Sequence, residues 1–228
     1  MKKSILALLT MSLIIDGLHA QTCSFYYPTK EGAVLEYSHY DKKGKLTGTS
    51  EQKITTIKKI PGGMEAVIAV KTKDAKGQDV FNQDMNVKCE NGIFYFSMDN
   101  YIDQSSMSAY KDMNIEVKGD DLQIPTNLKA GDILNGGSVT MTVENGGMKL
   151  MNMTVTISDR KADGIEKVTT PAGTFDCYKI SYDATTKMMI TIHTKGVEWY
   201  AKDVGLVKSE SYMSNGKLAG STVLTSLK

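Results

Sequence analysis

Few groups in this sequence could perform catalysis, and their neighbours do not prepare them for it. Beyond the first twenty residues the candidates are His39, His193 and three cysteines. A nucleophilic cysteine needs an adjacent base and a setting that stabilises its thiolate, whereas Cys177 follows the negatively charged Asp176. We therefore predict no catalytic residue and no enzyme activity. A hydrolase site built on His39 or His193 is the enzymatic alternative.

Motifs for metals and cofactors are also missing from the sequence. The chain has no CxxC pair, no Cys/His spacing of the kind that holds zinc, and no GxSxG elbow. The stretch KGDD, which ends at Asp121, lacks the alternating ligands and the distal glutamate of a calcium loop. We predict neither a bound metal nor a cofactor.

The first twenty residues, MKKSILALLTMSLIIDGLHA, have the pattern of a secretory signal peptide. Two lysines precede an apolar run, and small residues end at Ala20. The run is too short to span a membrane, and we expect no transmembrane segment in the mature chain. We predict a signal peptide at 1–20 and one domain at 21–228, exported to the periplasm or cell envelope of a Gram-negative bacterium. Gln21 and Thr22 before Cys23 favour a soluble protein over a lipid-anchored one.

Export to an oxidising compartment permits one disulfide among the three remaining cysteines. Sequence alone leaves all three pairings open. A bond between Cys23 and Cys89 is the preferred pairing because it would tether the amino-terminal segment. Cys177 lies inside an apparent strand and is interpreted as a buried free thiol.

Charge is balanced over the chain. The sequence has 27 basic and 26 acidic residues, and removal of residues 1–20 takes away two lysines and one aspartate, which leaves 25 of each. Neutrality argues against a nucleic-acid-binding surface, which normally shows a clustered basic excess. It also gives no general electrostatic reason to bind anionic lipid.

The clearest structural signal is the alternation of apolar and polar residues. In SVTMTVE (138–144) and LMNMTVTIS (150–158), every second residue is apolar, which is typical of half-buried strands. Asn145, Gly146 and Gly147 separate the two runs and suit a tight reversal. The sequence therefore predicts an antiparallel hairpin here, and similar runs separated by Gly and Asn recur along the chain.

Two further stretches bear on the fold. In VTTPAGTFDCYKISYD (168–183), Pro171 and Gly173 indicate a tight turn into another strand. Helix is expected at most once or twice, and the best candidate is 100–114, with an irregular crossover as the alternative. A boundary near 120–130 would divide the chain into halves that share one sheet. We predict a mainly β protein with one antiparallel sheet.

Three motifs in order, LQIPTNLKAGDIL, TTPAGTFDCYKI and VEWYAKDVGLVKSE, resemble those of a family of exported bacterial proteins of unknown function. The resemblance is best over 122–228. That family has a half-barrel fold similar to the periplasmic lipoprotein-localisation factors. The resemblance implies a strongly curved antiparallel sheet with an apolar concave side, and it implies no catalytic residues.

Methionine is the most informative residue type for binding. Met is flexible and polarizable, so it can line a surface that accepts varied apolar shapes. The predicted apolar face of the hairpin and the next strand comprises Met141, Met151, Met153, Val155, Met188, Ile190 and Ile192. Ordinary core packing is the alternative interpretation of this face, and Trp199 is interpreted as a core anchor.

These observations lead to two hypotheses about function. The first is a non-enzymatic envelope protein that binds a lipid or another apolar small molecule in the concave face of the sheet. The second is a protein–protein interaction or structural module of the envelope, with a closed core and an envelope protein as its partner.

Overall fold

The computed structural model describes residue 23, residues 25–102 and residues 113–228. The predicted signal peptide at 1–20 and the part of the predicted helix at 103–112 lie outside the described residues. Within them, a short 3-10 helix covers Met98–Tyr101. In the described part of the chain, no helix is long and apolar enough to cross a membrane.

In the described residues, fourteen strands form a single antiparallel sheet, as the alternating pattern predicted. The strands are β1 (Val34–Asp41), β2 (Leu46–Ile60), β3 (Gly63–Asp74), β4 (Asp79–Glu90), β5 (Ile93–Ser97), β6 (Asn114–Gly119), β7 (Asp121–Pro125), β8 (Ile133–Leu134), β9 (Gly137–Asn145), β10 (Met148–Thr170), β11 (Gly173–Lys187), β12 (Thr191–Ala201), β13 (Gly205–Met213) and β14 (Leu218–Leu227). Their order across the sheet is β6-β9-β10-β11-β12-β13-β14-β1-β2-β3-β4-β5-β7, and β8 pairs with β10.

The two ends of this sheet meet at Asp120. This residue alone separates β6, at one end, from β7, at the other. Its backbone N–H donates to the carbonyl of Ser138 at 2.9 Å, and its own carbonyl accepts from the N–H of Met98 at 2.9 Å. The sheet is therefore strongly curved and nearly closed, and strands from both sides of 120–130 belong to it.

The hairpin predicted from SVTMTVE and LMNMTVTIS is β9 and β10. Met141 lies directly opposite Met153, and Val139 lies opposite Val155. All four side chains are buried. The alternation therefore identified both the strands and the face of this hairpin that is turned to the interior.

Successive turns of an antiparallel sheet lie alternately at the two ends of its strands. These two sets of turns define two rims. The open rim comprises the turns β1–β2, β3–β4, β9–β10, β11–β12 and β13–β14, which we take with their flanking residues as 41–46, 73–79, 144–150, 187–192 and 213–218. The opposite rim carries the turns β2–β3, β4–β5, β10–β11 and β12–β13.

Cys23 and residues 25–28, which together we call the plug, close the opposite rim, and we call this rim the plugged rim. Phe25 and Tyr26 are fully buried, and the N–H of Asp203 donates to the carbonyl of Phe25 at 2.8 Å. Cys23 is joined to Cys89 by a disulfide. Aromatic side chains that would otherwise be exposed thus fill this end of the sheet's interior.

A second, smaller apolar cluster contains Trp199. It comprises Val168, Cys177, Trp199, Ala201 and Val207. The indole N–H of Trp199 donates to Glu166, and the ammonium groups of Lys179 and Lys208 lie 5.5 and 4.9 Å from the ring centroid. Trp199 is buried in this cluster and not in the main core. The next residue, Tyr200, belongs to the main core instead.

The PAGT stretch forms the tight turn that its sequence predicted. Thr170 pairs with Gly173, which leaves Pro171 and Ala172 as the turn between β10 and β11. Gly173 has φ of 140°, a conformation that other residues rarely adopt. Four residues later, Cys177 is fully buried with a free thiol.

Candidate ligand-binding site

A cavity of about 880 Å³ occupies the interior of the sheet between the plug and the open rim. Lys73 and Asp74 of the open rim line its mouth. Aromatic rings line its interior, among them Tyr27, Tyr37, Phe94, Phe96, Tyr182 and Tyr200. Its size lies within the range of about 300–1,000 Å³ that small-molecule sites occupy.

Glu198 is a buried carboxylate in the wall of this cavity, only 6 % exposed. The hydroxyl of Tyr101 donates to its two oxygens at 2.9 and 3.1 Å. Tyr182 donates to Oε1 at 3.2 Å, and Tyr200 donates to Oε2 at 3.1 Å. A carboxylate withdrawn from water requires such donors, because an unpaired buried charge is strongly destabilising.

The strand pattern explains how Glu198 and Tyr200 reach the interior. They alternate with Trp199 on β12, so both point to the face opposite the tryptophan. Tyr182 on β11 lies opposite Gly196, and its ring passes over this residue. Glycine is required there because any side chain would occupy the space of the ring.

A β-bulge brings a cation to the same site. Asp159 and Arg160 of β10 together lie opposite Tyr182 on β11, and Asp159 has φ of 51°. Such bulges re-aim a side chain. Arg160 is fully buried, and its Nη1 donates to the carbonyls of Gln123 at 3.1 Å and Asn135 at 2.8 Å.

Burial dominates the electrostatics of the cluster. It raises the pKa of Glu198, and the positive charge of Arg160 and the three tyrosine hydroxyls offset part of that rise. Burial and the nearby carboxylate also raise the pKa values of Tyr101, Tyr182 and Tyr200 well above 10.0. The three hydroxyls therefore remain protonated donors at any physiological pH.

Two polar atoms of cavity-lining residues have no hydrogen-bond partner in the described part of the chain. They are the hydroxyl of Tyr37 and Oε1 of Gln52. Tyr37 is only 2 % exposed. Because buried polar groups are nearly always hydrogen-bonded, each of these two atoms is available to a polar group of a bound molecule.

The two histidines stand in different settings. The ring nitrogens of His39 lie 2.9 Å from Oγ1 of Thr222 and 3.1 Å from Oγ of Ser50, at the wall of the cavity. In a serine–histidine catalytic site, a carboxylate commonly holds the position that Thr222 occupies. His193 is exposed on β12, where Nδ1 lies 3.1 Å from Oγ1 of Thr185.

The structure does not bring the predicted apolar site residues together. Met141, Met153 and Val155 are buried in the main core, and Met151 is partly buried against it. Met188, Ile190 and Ile192 are exposed by 47, 67 and 37 %. The prediction of one continuous apolar groove is corrected accordingly, because β11 ends at Lys187 and these three residues belong to the open rim.

The cavity is instead formed largely by residues that the sequence did not single out. Glutamate on an inward face contradicts the usual pattern, so alternation could not assign Glu198 to the interior. Arg160 did carry a signal, because it is the only arginine in the chain. A residue type used once, among many lysines, is consistent with a special role.

A metal centre and a second cavity are the other places where a site could lie. In the described residues, no group of three or more His, Cys, Asp or Glu could hold a metal ion. A second cavity, of about 530 Å³, runs along β3, β4 and β5. Exposed polar residues such as Lys58, Glu65 and Asp84 contribute to its lining, and Glu198 and its tyrosine donors are not part of it.

The fold and the cavity define a class of protein in which one curved antiparallel sheet closes almost completely around an interior space. Within that class, the chain belongs to the DUF3108-like family, whose sequence model matches residues 30–224. The resemblance read from the three sequence motifs is thereby confirmed.

Two solved structures are similar over nearly the whole chain. One is provisionally described as an exported protein with a YmcC-like fold, from Bacteroides fragilis, with 29 % identity and a TM-score of 0.79 over 90 % of this chain and 100 % of that one. The other is provisionally described as a lipoprotein, from Parabacteroides distasonis, with 29 % identity and a TM-score of 0.80 over 91 % of this chain and 100 % of that one. A search of the curated proteins found no match.

Proposed function

We propose that this protein is exported to the cell envelope and binds a lipid or another small amphipathic molecule inside its cavity, without catalysing a reaction. The descriptions of the two similar structures as an exported protein and a lipoprotein support the location. The signal-peptide pattern of residues 1–20 supports it independently.

The observation that carries the ligand proposal is the hydroxyl of Tyr37. This group is buried beside a cavity of about 880 Å³ and has no hydrogen-bond partner among the described residues. Leaving such a group unpaired costs about 1–3 kcal/mol, and a ligand that supplied the partner would recover that energy. Aromatic rings around it would bury an apolar body at about 0.8 kcal/mol for each CH₂.

Three observations support a binding role over a catalytic one. Cys177 is buried, and desolvation raises the pKa of its thiol to about 12. The two ring nitrogens of His39 both contact hydroxyl groups, those of Thr222 and Ser50. Tyrosine hydroxyls donate hydrogen bonds to both oxygens of Glu198, so this carboxylate is held in place and is not free to act as a base.

Uptake of a fluorescent fatty-acid probe by delipidated protein tests the proposal. We expect saturation near one site, and we expect Thr72→Trp, which fills the cavity from β3, to abolish uptake. Lys71→Trp is the matched control, since Lys71 is the neighbouring exposed residue. Tyr37→Phe should weaken binding about three- to ten-fold without lowering stability, because one hydrogen bond is lost and no protein partner is orphaned.

Native mass spectrometry of protein purified from its own envelope provides the second measurement. A bound small molecule that disappears in Thr72→Trp supports the proposal. Folded protein that takes up no probe and carries no molecule would refute it. A specific cross-linked envelope protein in that case would favour the alternative, an interaction module.

A further inference from the structure

The exposed apolar side chains of this protein are gathered at one end of the molecule. The described residues include eleven large apolar side chains that are exposed, and eight of them lie on the open rim. These eight are Leu46, Met148, Leu150, Met188, Met189, Ile190, Ile192 and Met213. The remaining three are Ile133, Ile165 and Leu227. Such a concentration marks an interaction surface, since scattered single residues are the norm.

The most prominent part of this surface is the β11–β12 turn. Met189 is fully exposed, at 101 % of its reference area, and Ile190 beside it is 67 % exposed. The β9–β10 turn adds two further exposed side chains, Met148 (71 % exposed) and Leu150 (53 % exposed). Both turns lie at the same edge of the sheet, so their side chains can enter one apolar layer together.

The same rim carries an excess of positive charge. Its five segments contain eight lysines against four acidic residues, a net charge of +4 (8 − 4), whereas the whole chain is +1. All eight lysines are exposed, and none forms a salt bridge within the described residues. They are Lys42, Lys43, Lys45, Lys73, Lys76, Lys149, Lys187 and Lys217.

Two of the four acids on this rim are occupied in shaping their turns. Oδ1 of Asp41 accepts from the backbone N–H groups of Lys43 and Lys45 at 2.8 and 3.0 Å. Oδ1 of Asp74 accepts in the same way from two residues of the β3–β4 turn, at 2.8 and 2.9 Å. These carboxylates are held by the backbone, while the lysine side chains extend from the rim.

From these observations we propose that the open rim is a docking surface for a lipid bilayer with acidic head groups. The apolar side chains enter the boundary between head groups and acyl chains, and the lysines contact the acidic head groups around them. This combination of exposed apolar residues and lysines is the one that binds proteins to the surface of anionic membranes. Charge complementarity distinguishes this occupant from a neutral apolar partner.

This proposal goes beyond the ligand site and does not depend on it. The rim and the cavity share Lys73 and Asp74 at the β3–β4 turn. Docking would therefore bring this part of the cavity toward the bilayer. Thr72→Trp, which fills the cavity, should leave vesicle binding unchanged, so failure of one proposal can be told from failure of the other.

Co-sedimentation with vesicles tests the docking surface. We expect the full protein to bind vesicles of equal parts phosphatidylglycerol and phosphatidylcholine at least about ten-fold more strongly than pure phosphatidylcholine vesicles, and to be released by high salt. Met189→Asp combined with Ile190→Asp should reduce binding about ten-fold or more. Ile165→Asp is the control, because Ile165 is 62 % exposed but lies toward the plugged rim.

A pair of charge variants tests the electrostatic part. Lys42→Gln with Lys43→Gln removes two charges from the open rim, and Lys58→Gln with Lys59→Gln removes two from the end of β2 at the plugged rim. Only the first pair should weaken binding to acidic vesicles, by about ten-fold. Circular dichroism and thermal melting confirm that each variant is folded.

The proposal is overturned if the folded protein binds neither kind of vesicle, or if the control variants lose as much binding as the rim variants. It is equally overturned if light scattering shows a dimer that Met189→Asp with Ile190→Asp dissociates while vesicles are ignored, because the rim would then meet a second copy of the chain.

Discussion

The ring of Tyr182 lies directly over Gly196, its partner across the β11–β12 pair. A Cβ atom placed on Gly196 would lie 2.0 Å from Cζ of that ring, far inside van der Waals contact. The ring can reach Glu198 from this position, and its hydroxyl lies 3.2 Å from Oε1. The glycine therefore determines where one of the three donors to the buried carboxylate can stand.

We accordingly expect Gly196→Ala to lower the free energy of unfolding by about 1–3 kcal/mol, the usual cost of overpacking. The double variant with Tyr182→Ala should lose less than the sum of the two single changes, because the clash disappears with the ring. Chemical denaturation of all four proteins measures this coupling. Strictly additive losses would show that the ring and the glycine do not constrain each other.

The ionisation of Glu198 should make stability depend on pH. Burial raises the pKa of this residue above its value of 4.5 in the unfolded chain. The folded protein keeps the proton where the unfolded chain releases it, so the stabilising contribution is complete below 4.5 and is lost as the pH rises through the folded pKa. The loss is at most about 1.4 kcal/mol per pH unit.

Glu198→Gln removes this ionisation. We expect the difference in unfolding free energy, wild type minus variant, to fall as the pH is raised from 4.5. Hydrogen bonds altered by the substitution add a contribution that does not change with pH. Glu65→Gln, on an exposed position of β3, controls for the loss of a negative charge. A difference that increased with pH would contradict the assignment.

Cys177 should be chemically silent in the native protein. Its thiol is buried, and desolvation, followed by the charges of Asp176 and Glu166, raises its pKa to about 12. A thiol reagent at pH 8 should modify less than one tenth of the protein under native conditions, since the reactive thiolate is scarce. In denaturant without reductant it should modify one thiol per chain. Rapid native labelling would mean that β11 opens readily.

The disulfide should be a major source of stability. Cys23 and Cys89 are 66 residues apart, and closing a loop of that length is worth about 4 kcal/mol in the chain-entropy model. We expect Cys23→Ser with Cys89→Ser to lower the midpoint of chemical denaturation accordingly, and to expose the plug to proteolysis. An unchanged midpoint would show that the packing of Phe25 and Tyr26 suffices to hold the segment.

The sequence predicted the sheet because alternation is a local property. Met141 and Met153 could be assigned to one face from their own neighbours alone, and they lie opposite each other in the structure. The tight turn at Pro171 and Gly173 was equally local, since it depends on the backbone preferences of a few adjacent residues. The strong curvature of the sheet was implied only by the family resemblance, and its near closure at Asp120 was not predicted.

The site could not be predicted in the same way because it joins distant parts of the chain. Tyr101 and Glu198 are in contact across 97 positions of sequence. Alternation on β12 places Trp199 on one face and Glu198 and Tyr200 on the other, but it does not say which face is inside. Apolar character alone would place the tryptophan inside. Met188 and Ile190 were predicted to share the apolar ligand-binding face, but they belong to a turn, where alternation has no meaning.

The plug also sets an order of assembly. Tyr26 packs its ring against Tyr178 and Tyr200, which follow it by 152 and 174 positions. In a chain that leaves a ribosome or a translocation channel amino end first, Phe25 and Tyr26 can meet Phe94 early, but the packing around Tyr26 is completed only when the final third has arrived.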